Sequence, residues 1–467
     1  MKEPKNLSDY ARNSYEFEVY FQRYSKLPDM SKSDWFESPD DLTEDIINNR
    51  RQLKASHLKT AIPLDKLIHW DDADISREFA RQLGIPIGRR ETFASLNVFC
   101  ANLYQIACLG QSDVMSMSFN NNSYRKDEVI NPLGVTRSII NIAKAFACAG
   151  HLREHTGFYD PSGRKSRNTA LELYPDLIDR LLGLSVPNVT LPVIETIRRI
   201  LRTEDGKRLP LLVQPESLPD SVKSQREFLL LYNEFIRDYQ VTVSRPNVRE
   251  FHDAIAFHMT YYGHDCGMHS RINGGRYQTM RKDIRRPYLR INGEPTVEVD
   301  LVESHPTILY AHVGHPLIHE QLGRAYWLTD QEPTHYEREA VKKGMACMLN
   351  ARSEGKAISA ITHAENTGEI DLGLNCTTKQ LIAQILSRHS QIADQFFKPE
   401  VGMKCMETEG KIMLETMRWG MQTGTPVLPL HDAVICRQFD SGVVAEALRE
   451  ASRAILGKPV KVSVKGG

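Results

Sequence analysis

Thr296-Val297-Glu298-Val299-Asp300-Leu301 decides the reading, together with a second apolar run far downstream, Pro426-Val427-Leu428-Pro429-Leu430-His431-Asp432-Ala433-Val434-Ile435-Cys436. Both are short and rich in branched aliphatic residues, and both read as buried strands. Each carries an aspartate. A carboxylate left unpartnered in an apolar layer is very costly, so each should have a partner. If the strands are neighbours, Asp300 and Asp432 make a hard-oxygen site suited to Mg2+ or Mn2+. Two such ions stabilise both the attacking and the leaving oxygen of a phosphoryl transfer. The expected chemistry is nucleotidyl transfer.

The chain has 467 residues, room for about three domains. A 41% hydrophobic and 25% charged composition is that of an ordinary soluble globular protein. Lys plus Arg equals Asp plus Glu at 59 each, so any nucleic-acid surface is a local patch, not a global basic excess. No apolar run approaches the roughly 18 residues of a membrane span, so no membrane partner is expected. The N-terminus, MKEPKNLSDYARNSYEFEVYF, has no apolar signal core. Eight cysteines without CxxC spacing fit reduced thiols and a cytoplasmic chain. His264-x-Cys266-x-x-His269 lacks the second half of a zinc site.

Three regions follow from the pattern. Residues 1–85 are polar and charged, with helical fragments such as Asp40–Leu53. Residues 86–205 begin with helical spacing over Ala94–Leu109, a short strand near Val114–Ser118, and a helix over Val135–Leu152 stopped by Gly150. A hairpin is expected next: Leu152–Tyr159, the turn Asp160-Pro161-Ser162-Gly163, and Arg164–Leu173. Its tip carries Arg164, Lys165 and Arg167. Helix followed by basic hairpin is the outline of a winged helix-turn-helix, with Arg137 and Asn141 on the polar face of the recognition helix and the wing on phosphates. A plain helical subdomain with a solvated hairpin is the competing reading. Leu191–Arg202 reads as one more helix.

Residues 206–467 carry the chemistry. The run Arg271–Arg290 is basic, with Arg276, Arg281, Tyr277 and Tyr288 around the sharp turn Asn273-Gly274-Gly275, and fits a phosphate-tracking surface. Ser304–Pro306 should bend the chain from the Asp300 strand into a helix. In Tyr336–Ala351, YEREAVKKGMACMLNA, the residues Arg338, Lys342, Ala346 and Asn350 are four apart and share one stripe. Arg338 and Lys342 there suit a triphosphate, with Asn350 near the sugar or base; a solvated amphipathic face fits the same spacing. Helices Met403–Met421 and Val443–Leu456 and a strand Val460–Val464 complete an α+β layer. Glu409, on the first of these helices, reads more as a surface charge than as an auxiliary carboxylate.

An aspartate strand, then a helix with R-x3-K-x7-N-A, then a His-Asp hairpin resembles the palm and fingers of single-subunit right-hand polymerases. The nearest patterns are family A DNA polymerases and phage-type RNA polymerases. The resemblance covers about residues 270–467 and rests on Asp300, on Arg338 with Lys342, and on His431-Asp432-Ala433. It implies a C-terminal polymerase-like palm with short helical fingers, behind a winged helix and a helical N-terminal region. It also implies metal held by Asp300 and Asp432, His431 orienting the hairpin, and nucleotide contacts from Arg338, Lys342, Asn350 and His305. DNA and nucleoside triphosphates are the implied partners, with RNA an open alternative. The chain departs from the pattern at Ala346, Asn350-Ala351 and Ala433. His305 stands where the DNA polymerases carry the Glu that blocks a ribose 2′-OH, which leaves sugar choice open. The alternative function is a DNA-binding replication or transcription regulator whose palm-like domain does not polymerise; a metal-dependent nuclease shares the carboxylates.

Overall fold

The computed structural model describes residues 61–466 apart from 67, 71–72, 125–130, 132, 158–167, 185–188, 192–194, 203–207, 212, 247–249, 264–265, 316, 318–320, 374–375 and 399. Helix and sheet are mixed throughout, an α+β arrangement. Pro63–Gly467 forms one compact unit. Asp40–Leu53 falls outside the described residues, as do Arg164, Lys165 and Arg167.

The front of that unit holds helices α1 (Ala73–Leu83) and α2 (Arg90–Leu109). By length and composition α2 would suffice to cross a bilayer, contrary to the sequence expectation. Its residues from Ser95 to Leu109 are all buried in the protein, so the apolar character supplies core. Gly110, at φ 56, ends the helix and donates its N–H to the Ile106 carbonyl. Strand β1 (Val114–Met117), helix α3 (Ser138–Cys148) and strands β2 (Leu152–His155) and β3 (Thr169–Leu173) follow. They pair antiparallel in the order β1-β3-β2. Phe146 of α3 lies 5.3 Å, ring to ring, from both Phe79 and Phe99, which ties α1, α2 and α3 together. Helix α4 (Pro175–Gly183) closes this part.

Residues 197–202 differ from expectation. Ile197-Arg198-Arg199-Ile200-Leu201-Arg202 has apolar residues at helical spacing, yet Ile197–Arg202 is strand β4. It pairs antiparallel with β5 (Arg208–Leu211) on one side and parallel with a later strand on the other, and that pairing overrides local spacing. Helix α5 (Asp220–Arg237) leads to strands β6 (Val241–Val243), β7 (Phe251–His252), β8 (His258–Tyr262) and β9 (Met268–Asn273). One sheet has the order β9-β8-β4-β5.

The second large sheet carries both aspartates. Its remaining strands are β10 (Leu289–Ile291), β11 (Glu294–Leu301), β12 (Leu428–Leu430), β13 (Ala433–Arg437) and β14 (Val462–Lys465), in the order β7-β6-β10-β11-β13-β12 with β14 also on β11. A short helix α6 (Lys282–Tyr288) precedes β10. Between β11 and β12 come helices α7 (Ser304–His312), α8 (His335–Asn350), α9 (Glu354–Asn366), α10 (Thr378–Arg388) and α11 (Val401–Thr423). Helices α7 to α10 share a core that includes Ile308, Val341, Met348, Ile361 and Ile385. Helix α12 (Ser441–Leu456) connects β13 to β14. Helix α11 packs between β9, α7 and α12, so it is buried on more than one face.

Candidate active site

Strand register brings the two aspartates together. Asp300 on β11 lies opposite Ala433 on β13, and the Leu301 N–H donates to the Asp432 carbonyl at 3.0 Å. Carboxylates 132 positions apart in sequence therefore stand at the same end of neighbouring strands. His431 and Asp432 form the two-residue loop between β12 and β13, with Leu430 opposite Ala433. Such loops favour a positive φ at the first loop position, and His431 adopts 59°. Glu303, three residues after Asp300, is also left-handed at φ 53. Strained backbone thus brackets the pair, as is common at working sites. The hairpin is tied down from outside: Tyr277 Oη donates to the Pro429 carbonyl at 2.6 Å, and Gln278 Nε2 to the same oxygen at 2.8 Å.

Around the pair the charges are crowded. Asp432 is half-buried, and burial raises its carboxyl above the ordinary value, with Glu409 and Asp300 adding like-charge repulsion. Asp300 is paired with Lys465 of β14. Glu409 corrects the expectation of a surface charge, since its side chain is fully buried. Its Oε1 accepts from Ser304 Oγ at 2.6 Å and faces His305 Nε2 at 3.1 Å. Its Oε2 accepts from Arg271 Nε at 3.0 Å and Nη2 at 2.8 Å. Burial pushes this carboxyl up, but the His305, Arg271 and Ser304 contacts outweigh it and hold it at about 2.

A second buried carboxylate steers the basic helix. Glu303 Oε2 accepts the Ala325 N–H at 2.6 Å, and Oε1 lies 3.7 Å from Arg338 Nη2. The Arg338 guanidinium also lies 5.2 Å from the Tyr326 ring centroid. The start of α8 is thereby held against the turn that follows Asp300. Lys342, one turn on, is exposed. Asn350 does not join this cluster by its amide: Nδ2 donates to the Ala346 carbonyl at 2.9 Å, and its Oδ1 sits against Gly402.

The basic run 271–290 is largely committed internally. Arg276 donates to Gln105, Asn102 and the Pro63 carbonyl, so its guanidinium is turned into the protein and not toward a phosphate-tracking face. Arg285 and Arg286 each take one oxygen of buried Glu298 in two-point contacts. Arg281 is exposed and pairs with Asp283. Arg137 and Asn141 are exposed and line a cleft of about 560 Å³ where the ends of α1, α2 and α3 meet.

Sequence reasoning passed over Glu303, Tyr326 and Lys465 as site residues, and it read Arg271 as part of a phosphate-tracking run where the structure pairs it with Glu409. It misplaced Glu409, although Cys405 and Met413 lie four residues to either side on the same buried stripe. Among the described residues, no group of three or more His, Cys, Asp or Glu is arranged to hold a metal ion.

No family model matches the sequence, and no curated protein matches it. Among solved structures, the POL domain of Pol1 from M. smegmatis, in complex with DNA primer-template and dNTP, aligns over 92% of this chain and 70% of that one. Identity is 12% and the TM-score 0.30, too low for the likeness to carry any argument.

Proposed function

We propose that the chain is a metal-dependent nucleotidyltransferase that adds nucleotides to a nucleic-acid 3′ end, a small polymerase of the right-hand type. One observation carries this reading: the register that sets Asp300 beside Asp432. Two carboxylates with mutual repulsion, on strand ends beside a cationic helix, fit Mg2+ or Mn2+. Mg2+ in particular takes one or two protein carboxylates and completes its shell with water and substrate phosphate. Two protein carboxylates without a third donor suit that habit. Asp300 and Asp432 would hold the metal, which when bound acidifies a 3′-hydroxyl and braces the phosphate under attack.

The protein's own groups do the rest. Arg338, steadied by Glu303 and the Tyr326 ring, presents its guanidinium to the leaving phosphates, and exposed Lys342 adds a second charge one turn on. His305 is held by Glu409 beside the aspartates and faces the incoming sugar. His431 fixes the hairpin that carries Asp432. In the same proposal the β1-β3-β2 sheet with α3 ahead of β2 is a winged helix, whose Arg137 and Asn141 meet duplex DNA.

The decisive experiment is incorporation of labelled dNTPs and NTPs on primed and unprimed templates. Asp300→Ala should abolish it, a loss of at least ~10³-fold, while duplex binding by gel shift stays within about twofold. Undiminished incorporation by that variant would end the reading. A second reading, a DNA-binding regulator that no longer polymerises, is favoured by Asn350, whose amide is turned back on its own helix. Sequence-selective binding with no incorporation in either metal would select it.

A further inference from the structure

Three other carboxylates near the two aspartates are each met by arginine. Glu409 has Arg271, Glu303 has Arg338, and Glu298 has both Arg285 and Arg286. Asp300 alone in this set is matched by a lysine, Lys465, from the final strand. Strand register explains why. Lys465 stands directly opposite Glu298, and Ser463 directly opposite Asp300. The natural partner of Lys465 is therefore Glu298. Both oxygens of Glu298 are already taken by guanidinium pairs at 2.7–3.0 Å. Lys465 shares a face with Asp300, because residues two apart on a strand point the same way. A long side chain reaches its diagonal neighbour, and Lys465 takes Asp300.

We propose that Lys465 is a resident counter-ion that occupies the Asp300 carboxylate and must be displaced before a divalent cation binds there. The inference rests on the metal-binding part of the proposed function. An arginine fork would hold the carboxylate at two points, whereas an ammonium is a compact charge on a flexible stem. The Lys465 side chain is 43% exposed against 19% for Asp300, so it approaches from the solvent side and has somewhere to go. It neutralises one of two repelling carboxylates until the ion arrives. The last strand therefore sets metal affinity without supplying a ligand.

The test is Mn2+ binding to the full chain without nucleotide, read by electron paramagnetic resonance and calorimetry. Lys465→Met should tighten the first Mn2+ roughly two- to fivefold, the scale of removing a partly exposed ion pair. Lys465→Arg, which grips at two points, should weaken it by a similar factor. Asp300→Asn should lose that site in either background. Native circular dichroism qualifies each variant, and the Arg variant keeps the test open if the Met variant does not fold. Unchanged or weaker Mn2+ binding in a folded Lys465→Met overturns the inference; if Asp300→Asn still loses the ion, the metal reading survives. No Mn2+ bound by wild type or by any variant overturns both.

Discussion

Among single residues, Glu409 is a carboxylate buried beside the two aspartates. A buried carboxylate is tolerable only when charge and hydrogen bonds replace the lost water, and this one has Arg271, His305 and Ser304. Its folded pKa, about 2, lies below the ordinary value. A depressed carboxyl contributes stability that is complete above the unfolded pKa of roughly 4.3 and is lost as pH falls through the folded value. The contribution is on the order of 3 kcal/mol. Denaturant melts of wild type should therefore weaken steadily between about pH 4.5 and pH 2, and Glu409→Gln should be less stable at pH 7 but flatter over that window. Parallel pH profiles for the two proteins would sink this account. The same residue shows what the chain made legible. Asp300 and Asp432 announced themselves because each charge sits inside an apolar strand pattern. Glu409 sits in a helix where charged and apolar stripes alternate, and only three-dimensional packing on β9 and α7 decides which face is inside. Lys465 was invisible for a related reason, since its partner follows from a register and from the prior occupation of Glu298.

At the scale of elements, strong local signals set the outcome wherever they agree with tertiary packing. The turn at Asn273-Gly274-Gly275 is an example: Gly274 takes φ 150, and a Cβ there would lie 2.3 Å from the Ala256 carbonyl oxygen, so only glycine fits. Ile197–Arg202 shows the opposite, because its spacing suits a helix while its neighbours supply two strand edges. Helix α8 is specified locally at its start. Thr334 accepts the Glu337 N–H through Oγ1 at 3.3 Å, and Glu337 Oε2 accepts the Thr334 N–H at 2.7 Å, a reciprocal capping box. Arg338 is the next residue, so this cap sets where the guanidinium begins its reach to Glu303. Thr334→Ala should cost about 1 kcal/mol in denaturant melts, and Thr334→Ser, which keeps the hydroxyl, only a few tenths. Equal stability of the Ala variant and wild type would mean that α8 is held by its buried face alone.

At the scale of the whole molecule, what matters is whether the front α/β layer and the aspartate sheet perform separable tasks. Arg137, the residue that precedes α3, and Asn141 within it are exposed, while the other side of α3, through Ile139, Ile142, Ala143 and Phe146, is core. Both side chains are exposed, so neither is part of that core. Asp300, Asp432 and Glu409 belong to a different sheet and a different helix. If α3 reads duplex DNA, Arg137→Ala with Asn141→Ala should weaken binding by one to two orders of magnitude. The slope of log affinity against log salt should also become shallower, by about one unit for a lost phosphate contact. Incorporation on a saturating, already primed template should change by less than about twofold, because no group near the two aspartates has moved. Losses in binding and turnover that rise together would instead mean that the two layers grip one continuous nucleic-acid path, with α3 positioning the same strand end that Asp300 and Asp432 act upon. Full duplex affinity in the double variant would remove α3 as the contact surface and leave the sheet with the aspartates as the molecule's own nucleic-acid site.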